Sequence, residues 1–125
     1  MNFSELAKNR FSERFFSNKK IEKEKLDMIL EAGRIVPTAC NYQPQRFYVI
    51  NSEEGLAKLK TVTPFHYNVP TMILVCYDLD VVWTQPNDRL LPNYNSGDQD
   101  ASIAATTMMY EAGELGVHKI GRAHV

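Results

Sequence analysis

A nearly continuous apolar run, Thr-Met-Ile-Leu-Val-Cys-Tyr, occupies residues 71–77. Its lack of polar alternation is typical of a strand that lies inside a sheet and is buried on both faces. Burial on both faces requires helices on either side of the sheet. The run therefore predicts a layered α/β sandwich with this strand at its centre.

Periodicity and capping residues predict further elements around this strand. Asn2 followed by Glu5 has the pattern of a capping box, which indicates a short first helix. Apolar residues recur at helical spacing from Ile21 to Ala32, and residues 46–51 are rich in strand-forming types. Ser52 is suited to cap a third helix.

The second half of the chain is predicted to contain a loop and a long helix. Residues 83–97 include two prolines, three asparagines and one glycine, which favours a loop and a candidate lid or ligand-facing segment. Asp98 is predicted to cap the final helix. Small and apolar residues line one side of this helix: Ala101, Ala104, Ala105, Met108, Ala112 and Leu115.

Composition limits the class of protein. A length of 125 residues allows one domain at most. The 14 basic and 15 acidic residues nearly cancel, which argues against nucleic-acid or membrane-surface binding by bulk charge. The sequence has neither a run of about eighteen apolar residues nor an apolar signal-peptide core, so we expect no membrane span and no secretion. Cys40 and Cys76 form no disulfide framework or CxxC site, so we expect a cytoplasmic, reducing location.

Three side chains at alternate positions near the N-terminus, Arg10, Ser12 and Arg14, suit a phosphate group. Two guanidinium groups offer planar sets of donors, and the hydroxyl between them adds a short neutral donor. The alternative is that both arginines are ordinary solvated charges. Glu13 is predicted to point outward, because an inward carboxylate would oppose a bound phosphate.

A second polar segment, Pro37-Thr38-Ala39-Cys40-Asn41-Tyr42-Gln43-Pro44, follows the second helix. Its small residues and two carboxamides can bring donors and acceptors close to a flat heteroaromatic ring. Asn41 and Gln43 have an alternative interpretation as ordinary turn residues, because Asn favours turns and Pro44 restricts the residue before it. Cys40 is predicted to be a small packed residue rather than a nucleophile, since no base lies nearby in the sequence.

Together, the arginine cluster and this polar loop resemble two elements of the nitroreductase family of FMN-dependent oxidoreductases. Members of that family hold the phosphate and ribityl chain of FMN with an R-x-S-x-R or R-x-S-x-K element, and a P-[ST]-[SA]-x-N-x-Q-P loop approaches the flavin. The resemblance extends from about Phe3 to about Val117. The chain departs from it at Phe11, where many members carry a basic residue or His, and at Gln45, where many carry Trp.

The resemblance implies an α+β fold, a nitroreductase-like three-layer sandwich in which helices flank a mixed β-sheet, incomplete at the C-terminus and forming an intertwined homodimer. It implies FMN as cofactor and NAD(P)H as co-substrate, with electrons passed on to small-molecule acceptors such as nitroaromatics, quinones and enones. No catalytic side chain is implied, because the cofactor carries the chemistry. The implied cofactor-binding residues are Arg10, Ser12, Arg14, Pro37, Thr38, Ala39, Asn41 and Gln43.

Other functions stay open at this point. The chain could be an inactive or flavin-binding-only fragment, or a relative that uses flavin for other chemistry, such as flavin fragmentation or reductive dehalogenation. Such relatives usually add a lid with dedicated residues, and residues 83–97 are too generic to identify one. His66 has no ligand partner at metal-binding spacing, so no metal is assigned, although its ring could line the acceptor side of the flavin.

The end of the chain carries a separate prediction. Family members continue past the long helix with another strand, a further helix and a segment that embraces the partner subunit, whereas family-like sequence here ends at Val117. Residues 119–125 can be encoded by AAG ATC GGA AGA GCA CAC GTC, which resembles a sequencing-adapter oligonucleotide. We therefore expect a partial FMN-binding domain over residues 1–118 and a non-native tail over residues 119–125, which sequencing the source DNA beyond Val117 would test.

Overall fold

The computed structural model describes residues 2–117 of the chain. Its helices are α1 (Phe3–Asn9), α2 (Lys23–Arg34), α3 (Glu53–Val62) and α4 (Gly97–Glu114), and its strands are β1 (Gln45–Ile50), β2 (Met72–Tyr77), β3 (Thr84–Gln85) and β4 (Tyr94–Asn95). A short 3₁₀ turn, Ala39–Asn41, lies between α2 and β1. The second helix and the first strand predicted from periodicity are thus confirmed, with bounds shifted by one or two residues.

The core forms where α2 and α4 pack against one face of the β1–β2 pair. The two strands run antiparallel, with Phe47 opposite Val75. Because side chains alternate along a strand, Phe47, Ile73 and Val75 point to the same face of this sheet. They pack against Ile29 of α2 and Met108 of α4. The helices and the sheet therefore share one apolar cluster.

The prediction that residues 71–77 form a strand buried on both faces is wrong within the described range. β2 pairs with β1 alone, and Leu74 is 36% exposed. Tyr48, which lies opposite Leu74, is 59% exposed. The reason is that α2 and α4 cover the other face only, the face that carries Phe47 and Val75. Both strand pairs in residues 2–117 are antiparallel, so the parallel pairing of a mixed sheet is not among them.

Two glycines allow the helices to approach the sheet closely. A Cβ atom at Gly33 of α2 would lie 2.5 Å from Met108 Sδ and 2.7 Å from Phe47 Cζ, which is closer than real contacts allow. At the start of α4, the Tyr77 ring occupies the space that a side chain on Gly97 would need. A larger residue at either position would push the helix away from its neighbours.

The first and third helices begin as the sequence predicts. Asn2 and Glu5 form a reciprocal capping box at the start of α1. Ser52 Oγ accepts a hydrogen bond of 3.0 Å from the Gly55 N–H at the start of α3. Both side chains satisfy backbone donors that have no partner within the helix, which is why these residue types favour a helix start.

The segment before α4 differs from its prediction. Residues 83–97 are not wholly a loop, because β3 and β4 pair antiparallel within them. The helix begins after Ser96, whose carbonyl accepts a hydrogen bond from the Asp100 N–H at 2.9 Å. Asp98 therefore lies in the first turn of α4 and does not cap it.

The described residues contain neither a membrane-spanning helix nor a cluster of metal-binding side chains. None of their helices is long and apolar enough to cross a membrane. Residues 2–117 also contain no group of three or more His, Cys, Asp or Glu side chains that could hold a metal ion. His66 accepts a hydrogen bond from the Asn68 N–H through Nδ1. The predicted tail at residues 119–125 lies outside the described range.

Candidate functional site

The arginine cluster lies in an irregular segment between α1 and α2. α1 ends at Asn9, and the N–H of the extended residue Arg10 donates to the carbonyl of Leu6. Arg10 is half-buried, whereas Ser12 and Arg14 are exposed. The hydroxyl and at least one guanidinium of the cluster are therefore open to a ligand from solvent.

The positive charges of the cluster are not neutralised by any carboxylate among the described residues. The ion pairs in this range involve other side chains and leave out Arg10 and Arg14. Arg14 Cζ instead lies 5.3 Å from the centre of the Tyr67 ring, within the range of a cation–π contact. Arg14 Nη1 also donates to the Glu13 carbonyl at 3.2 Å. This arrangement holds the Arg14 guanidinium in place without cancelling its charge.

Glu13 is half-buried, and its carboxylate bonds to the backbone next to it. Its Oε1 accepts hydrogen bonds from the backbone N–H groups of Arg14 at 3.1 Å and Phe15 at 3.2 Å. In an irregular segment these donors have no helix or sheet partner, so a nearby carboxylate satisfies them. Glu13 thereby shapes the backbone around the cluster.

The polar loop after α2 passes through left-handed backbone conformations. Cys40, Asn41 and Gln43 have φ angles of 52°, 54° and 55°. Such angles are uncommon for residues with a side chain and concentrate at functional sites. Two hydrogen bonds to Thr38 close the turn. The Asn41 N–H donates to the Thr38 carbonyl at 2.9 Å, and the Gln43 N–H donates to Thr38 Oγ1 at 3.0 Å. Cys40 is exposed, so the prediction of a packed residue is wrong: the tip of the turn, residues 40–42, projects from the surface.

Three carboxamides form a hydrogen-bonded chain from the tip of this loop to the end of α2. Gln45 Nε2 donates to Gln43 Oε1 at 3.1 Å, and Gln43 Nε2 donates to Asn41 Oδ1 at 2.6 Å. Gln45 Nε2 also reaches the carbonyls of Gly33 and Arg34, each at 3.2 Å. Asn41 is exposed, and its amide nitrogen donates to none of the described residues, so this nitrogen is available as a donor.

Gln45 is the buried end of this amide chain. Its side chain is 7% exposed, and its Oε1 has no hydrogen-bond partner within residues 2–117. Gln45 is the position at which the sequence departs from the Trp expected from the family resemblance. The departure was visible in the sequence, but its consequence, a polar link between α2 and the loop, was not.

Asp100 holds the loop from the side of α4, and sequence reasoning did not find it. This carboxylate is 2% exposed, and its Oδ1 accepts a hydrogen bond from the Ala39 N–H at 3.1 Å. Its Oδ2 accepts from Ser96 Oγ at 2.7 Å. A signal was available, because Asp100 shares a helix face with Ala104 and Met108, where a charge is unexpected.

Arg46 and Asp78 support the other end of the loop. Arg46 Nη1 donates to the carbonyls of Gln43 at 2.8 Å and Gln45 at 2.9 Å. Arg46 Nη2 lies 3.7 Å from Asp78 Oδ2, and the Asp78 N–H donates to the Pro44 carbonyl at 2.9 Å. The sequence predicted Arg46 only as a strand residue, since nothing in its neighbourhood marks the long-range contact with Asp78.

Two cavities flank the core of the described part. A largely apolar groove of about 870 Å³ runs between β2 and α4. A smaller cavity of about 440 Å³ lies beside the second half of α2, where Gln43 and Gln45 line it. At its rim, a hydrogen bond from Arg34 lowers the pKa of the exposed Glu31 carboxyl, so Arg34 is already engaged. The residues that line neither cavity include Arg10, Ser12, Arg14 and Asn41.

The structure therefore brings the loop residues together, and neither of these two cavities is lined by both a loop residue and a residue of the arginine cluster. Thr38 and Ala39 are half-buried against α4, and Asn41 and Pro37 are exposed. The described part thus contains two separate candidate surfaces, the polar loop and the arginine cluster.

The nitroreductase family model matches residues 7–63, a range that contains both the arginine cluster and the polar loop. Over 120 residues, the chain is 30% identical to a protein of Methanothermobacter thermautotrophicus that is provisionally named an NADH dehydrogenase/NAD(P)H nitroreductase. The chain belongs to the nitroreductase family. That alignment covers 94% of this chain and 58% of the archaeal protein.

Solved structures share the fold of this nitroreductase family chain. A nitroreductase family protein from Clostridium difficile 630 matches with a TM-score of 0.85 and 47% identity, over 93% of this chain and 64% of that protein. A provisionally named nitroreductase from Desulfovibrio desulfuricans, solved in complex with FMN, matches with a TM-score of 0.74 and 26% identity, over 92% and 64%. The predicted nitroreductase-like α+β fold is thus confirmed. The chain spans between 58% and 64% of the length of these relatives.

Proposed function

We propose that this chain is the FMN-binding part of a cytoplasmic, homodimeric oxidoreductase that passes hydride from NAD(P)H through FMN to nitroaromatic, quinone or related small-molecule acceptors. The observation that carries the proposal is the amide chain that leaves Asn41 as an exposed donor on a left-handed turn. A flavin ring presents acceptor oxygens and nitrogens along its edge, so a donor of fixed direction suits it.

The N-terminal segment fits the phosphate end of the same cofactor. Ser12 and Arg14 are exposed, and neither Arg10 nor Arg14 has a carboxylate partner in the described range. Guanidinium groups bind phosphate through parallel charge-assisted hydrogen bonds. In this proposal, the three side chains hold the phosphate and the ribityl chain.

The loop would bind the ring end of the cofactor. Pro37, Thr38 and Ala39 have small or compact side chains, which let a flat ring approach the backbone, and Gln43 orients the Asn41 amide. The chemistry supplied by bound FMN is acceptance of hydride from NAD(P)H and delivery of electrons to the acceptor. The residues of this chain bind and orient the cofactor, and none is assigned a proton transfer.

A site shared between two copies of the protein accounts for the separation of the two candidate surfaces. Neither of the two cavities described above is lined by both the arginine cluster and the polar loop. A second copy could bring its loop, with Thr38 and Ala39, to a cofactor that is held by the arginine cluster of the first. This geometry supports the homodimer part of the proposal.

An inactive or flavin-binding-only protein is the second candidate. The observation that favours it is that Arg10, Ser12, Arg14 and Asn41 line neither of the two cavities described above. The isolated β1–β2 pair also leaves one edge of β2 unpaired among the described residues, and such an edge favours aggregation.

One experiment separates these candidates. FMN is added to the purified chain, the sample is desalted, and its visible absorption spectrum is recorded before and after anaerobic addition of NADH or NADPH. A flavin band that is retained and then bleaches supports the reductase. A retained band that does not bleach supports flavin binding alone, and the absence of a band contradicts FMN binding by this chain.

The phosphate role is tested by Arg14→Ala. A hydrogen bond to a charged group contributes about 1.5–3 kcal/mol, so we expect FMN affinity to fall by about 10- to 100-fold. Lys60→Ala is the matched control, because it removes an exposed positive charge near the end of α3. Equal FMN affinity in the two variants would contradict the assignment of Arg14.

A further inference from the structure

We propose that Asp100 is a positioning residue that holds the Ala39–Asn41 turn in the shape that presents Asn41 to the cofactor. The proposal rests on the proposed function of the loop. Asp100 lies 61 residues from Ala39 in the sequence, yet its Oδ1 accepts the Ala39 N–H at 3.1 Å. This N–H belongs to the first residue of the 3₁₀ turn, and the first donors of such a turn have no partner inside the turn itself.

Asp100 is itself fixed in place. Its side chain is 2% exposed, and Oδ2 accepts a hydrogen bond from Ser96 Oγ at 2.7 Å. Ser96 is buried as well, and its N–H donates to the Trp83 carbonyl at 3.0 Å. Asp100 takes part in none of the ion pairs within residues 2–117. Burying a carboxylate without a positively charged partner is unfavourable. The hydrogen bonds that Asp100 accepts from neutral donors therefore require a structural explanation.

The turn needs such an external restraint because its own backbone is unfavourable. Cys40 and Asn41 follow Ala39 directly and have φ angles of 52° and 54°. Residues with a side chain remain in this region only when the surrounding structure holds them there. Asp100 restrains the start of the turn from α4, and Gln43 restrains the Asn41 side chain from the other direction. Together these two contacts fix both the backbone and the amide of Asn41.

Substitutions at Asp100 distinguish hydrogen bonding from charge. Asp100→Leu has a similar size and accepts no hydrogen bond. Asp100→Asn keeps an oxygen for the Ala39 N–H and can donate to Ser96 Oγ, since a hydroxyl also accepts. If Asp100 acted through the interaction of its negative charge with the α4 dipole, both variants would lose that interaction. The positioning hydrogen bond, in contrast, is lost in Asp100→Leu alone.

The first readout does not depend on any cofactor. Amide hydrogen exchange is measured at Asn41, Tyr42 and Gln43, whose N–H groups donate within the turn, and at Ala112 in α4 as an internal reference. In Asp100→Leu, exchange in the turn should accelerate by about tenfold or more relative to Ala112. The reason is that local opening of the turn no longer has to break the hydrogen bond between Asp100 and Ala39. In Asp100→Asn, exchange should stay within about threefold of the wild type.

The second readout is the FMN dissociation constant from a fluorescence titration. Asp100→Leu should weaken FMN binding by about tenfold, and Asp100→Asn should restore it, because a mobile donor binds less tightly than a fixed one. Unchanged exchange in Asp100→Leu overturns the proposal, as does faster exchange with unchanged FMN affinity. Equal losses in the Leu and Asn variants overturn it too. If the wild type binds no FMN, the proposed function fails, while the exchange data still show whether Asp100 holds the turn.

A second variant covers the case in which Asp100→Leu does not fold. Ala39→Pro removes the donor of the same hydrogen bond at the first position of a helical turn, where proline is tolerated. Thr38 is already extended, with φ −134° and ψ 163°, as a residue before proline requires. Faster exchange at Asn41 and Tyr42 in this variant supports the proposal, and exchange at the wild-type rate overturns it.

Discussion

Arg14 Cζ lies 5.3 Å from the centre of the Tyr67 ring, and this contact joins the N-terminal segment to the connection between α3 and β2. The Tyr67 ring also has two aromatic neighbours, Phe16 with ring centres 6.5 Å apart and Phe65 with ring centres 6.4 Å apart. The neighbouring rings limit where the Tyr67 ring can lie. Arg14 is therefore held by an aromatic surface that leaves its positive charge available for a phosphate.

We expect Tyr67→Leu to weaken FMN binding by about two- to fivefold, because a cation–π contact at an exposed site contributes about 0.5–1 kcal/mol. Tyr67→Phe keeps the ring face and should bind FMN as the wild type does. Fluorescence titration of FMN with each protein measures the three dissociation constants. If all three are equal, Tyr67 does not hold Arg14 for phosphate binding.

Asn41→Ala should lower the midpoint potential of bound FMN by about 20 mV. A donor at the flavin edge favours the electron-rich reduced form, and a preference of about 1 kcal/mol corresponds to this shift for two electrons. Cys40→Ser is the control, since Cys40 is an exposed neighbour in the same turn. Spectroelectrochemical titration measures the potentials, and equal values for Asn41→Ala and wild type would remove Asn41 from the site.

Gln45→Glu should destabilise the fold in a pH-dependent manner. The new carboxylate would be buried against the carbonyls of Gly33 and Arg34 and the Oε1 of Gln43, so its folded-state pKa should be raised. An unfolded glutamate has a pKa of about 4.3, so the part of the destabilisation that is due to the charge should be absent below about pH 4 and grow as the pH rises through that value.

Urea unfolding of Gln45→Glu and Gln45→Met at pH 4 and pH 7 measures this effect. Gln45→Met removes the same donor without adding a charge, so the difference between the two variants isolates the charge. We expect that difference to be near zero at the acidic pH and about 2 kcal/mol or more at neutral pH. A difference that does not change with pH would show that position 45 is hydrated in the folded protein.

Gly33→Ala should destabilise the fold by about 1–3 kcal/mol, because its Cβ would overlap Met108 and Phe47 in a packed core. Gly113→Ala in α4 is the matched control. Its Cβ would meet only the flexible end of Leu6, at 3.1 Å, and alanine favours a helix by about 1 kcal/mol over glycine. Urea unfolding measures both, and a Gly33→Ala variant as stable as Gly113→Ala would contradict the close packing.

The local elements and the family were predictable because their signals are contiguous in the sequence. Asn2 and Ser52 cap the helices that follow them, since a capping side chain acts on donors two or three residues away. The arginine cluster and the polar loop are each short strings of residues with defined chemistry, and both lie within the range matched by the nitroreductase family model. The roles of the individual residues in these strings stay predictions.

The burial of β2 and the start of α4 could not be derived in the same way. An apolar run indicates that a strand avoids water in a complete fold, but coverage depends on which elements pack on it. Within residues 2–117, helices cover one face, and Leu74 remains exposed on the other. Asp98 has the side chain of a cap, but the helical hydrogen bonds already begin at Ser96.

The sequence by itself determined the existence of the four described helices and of the two longer strands, the resemblance to the nitroreductase family, and the two segments that carry candidate binding residues. Only the tertiary structure decided how the loop is held. Asp100 reaches Ala39 across 61 residues, and Gln45 joins Gly33 to Gln43. Hydrogen bonds depend on distance and angle in space. Residues that are far apart in the chain therefore reveal their pairing only after the helices and strands have packed.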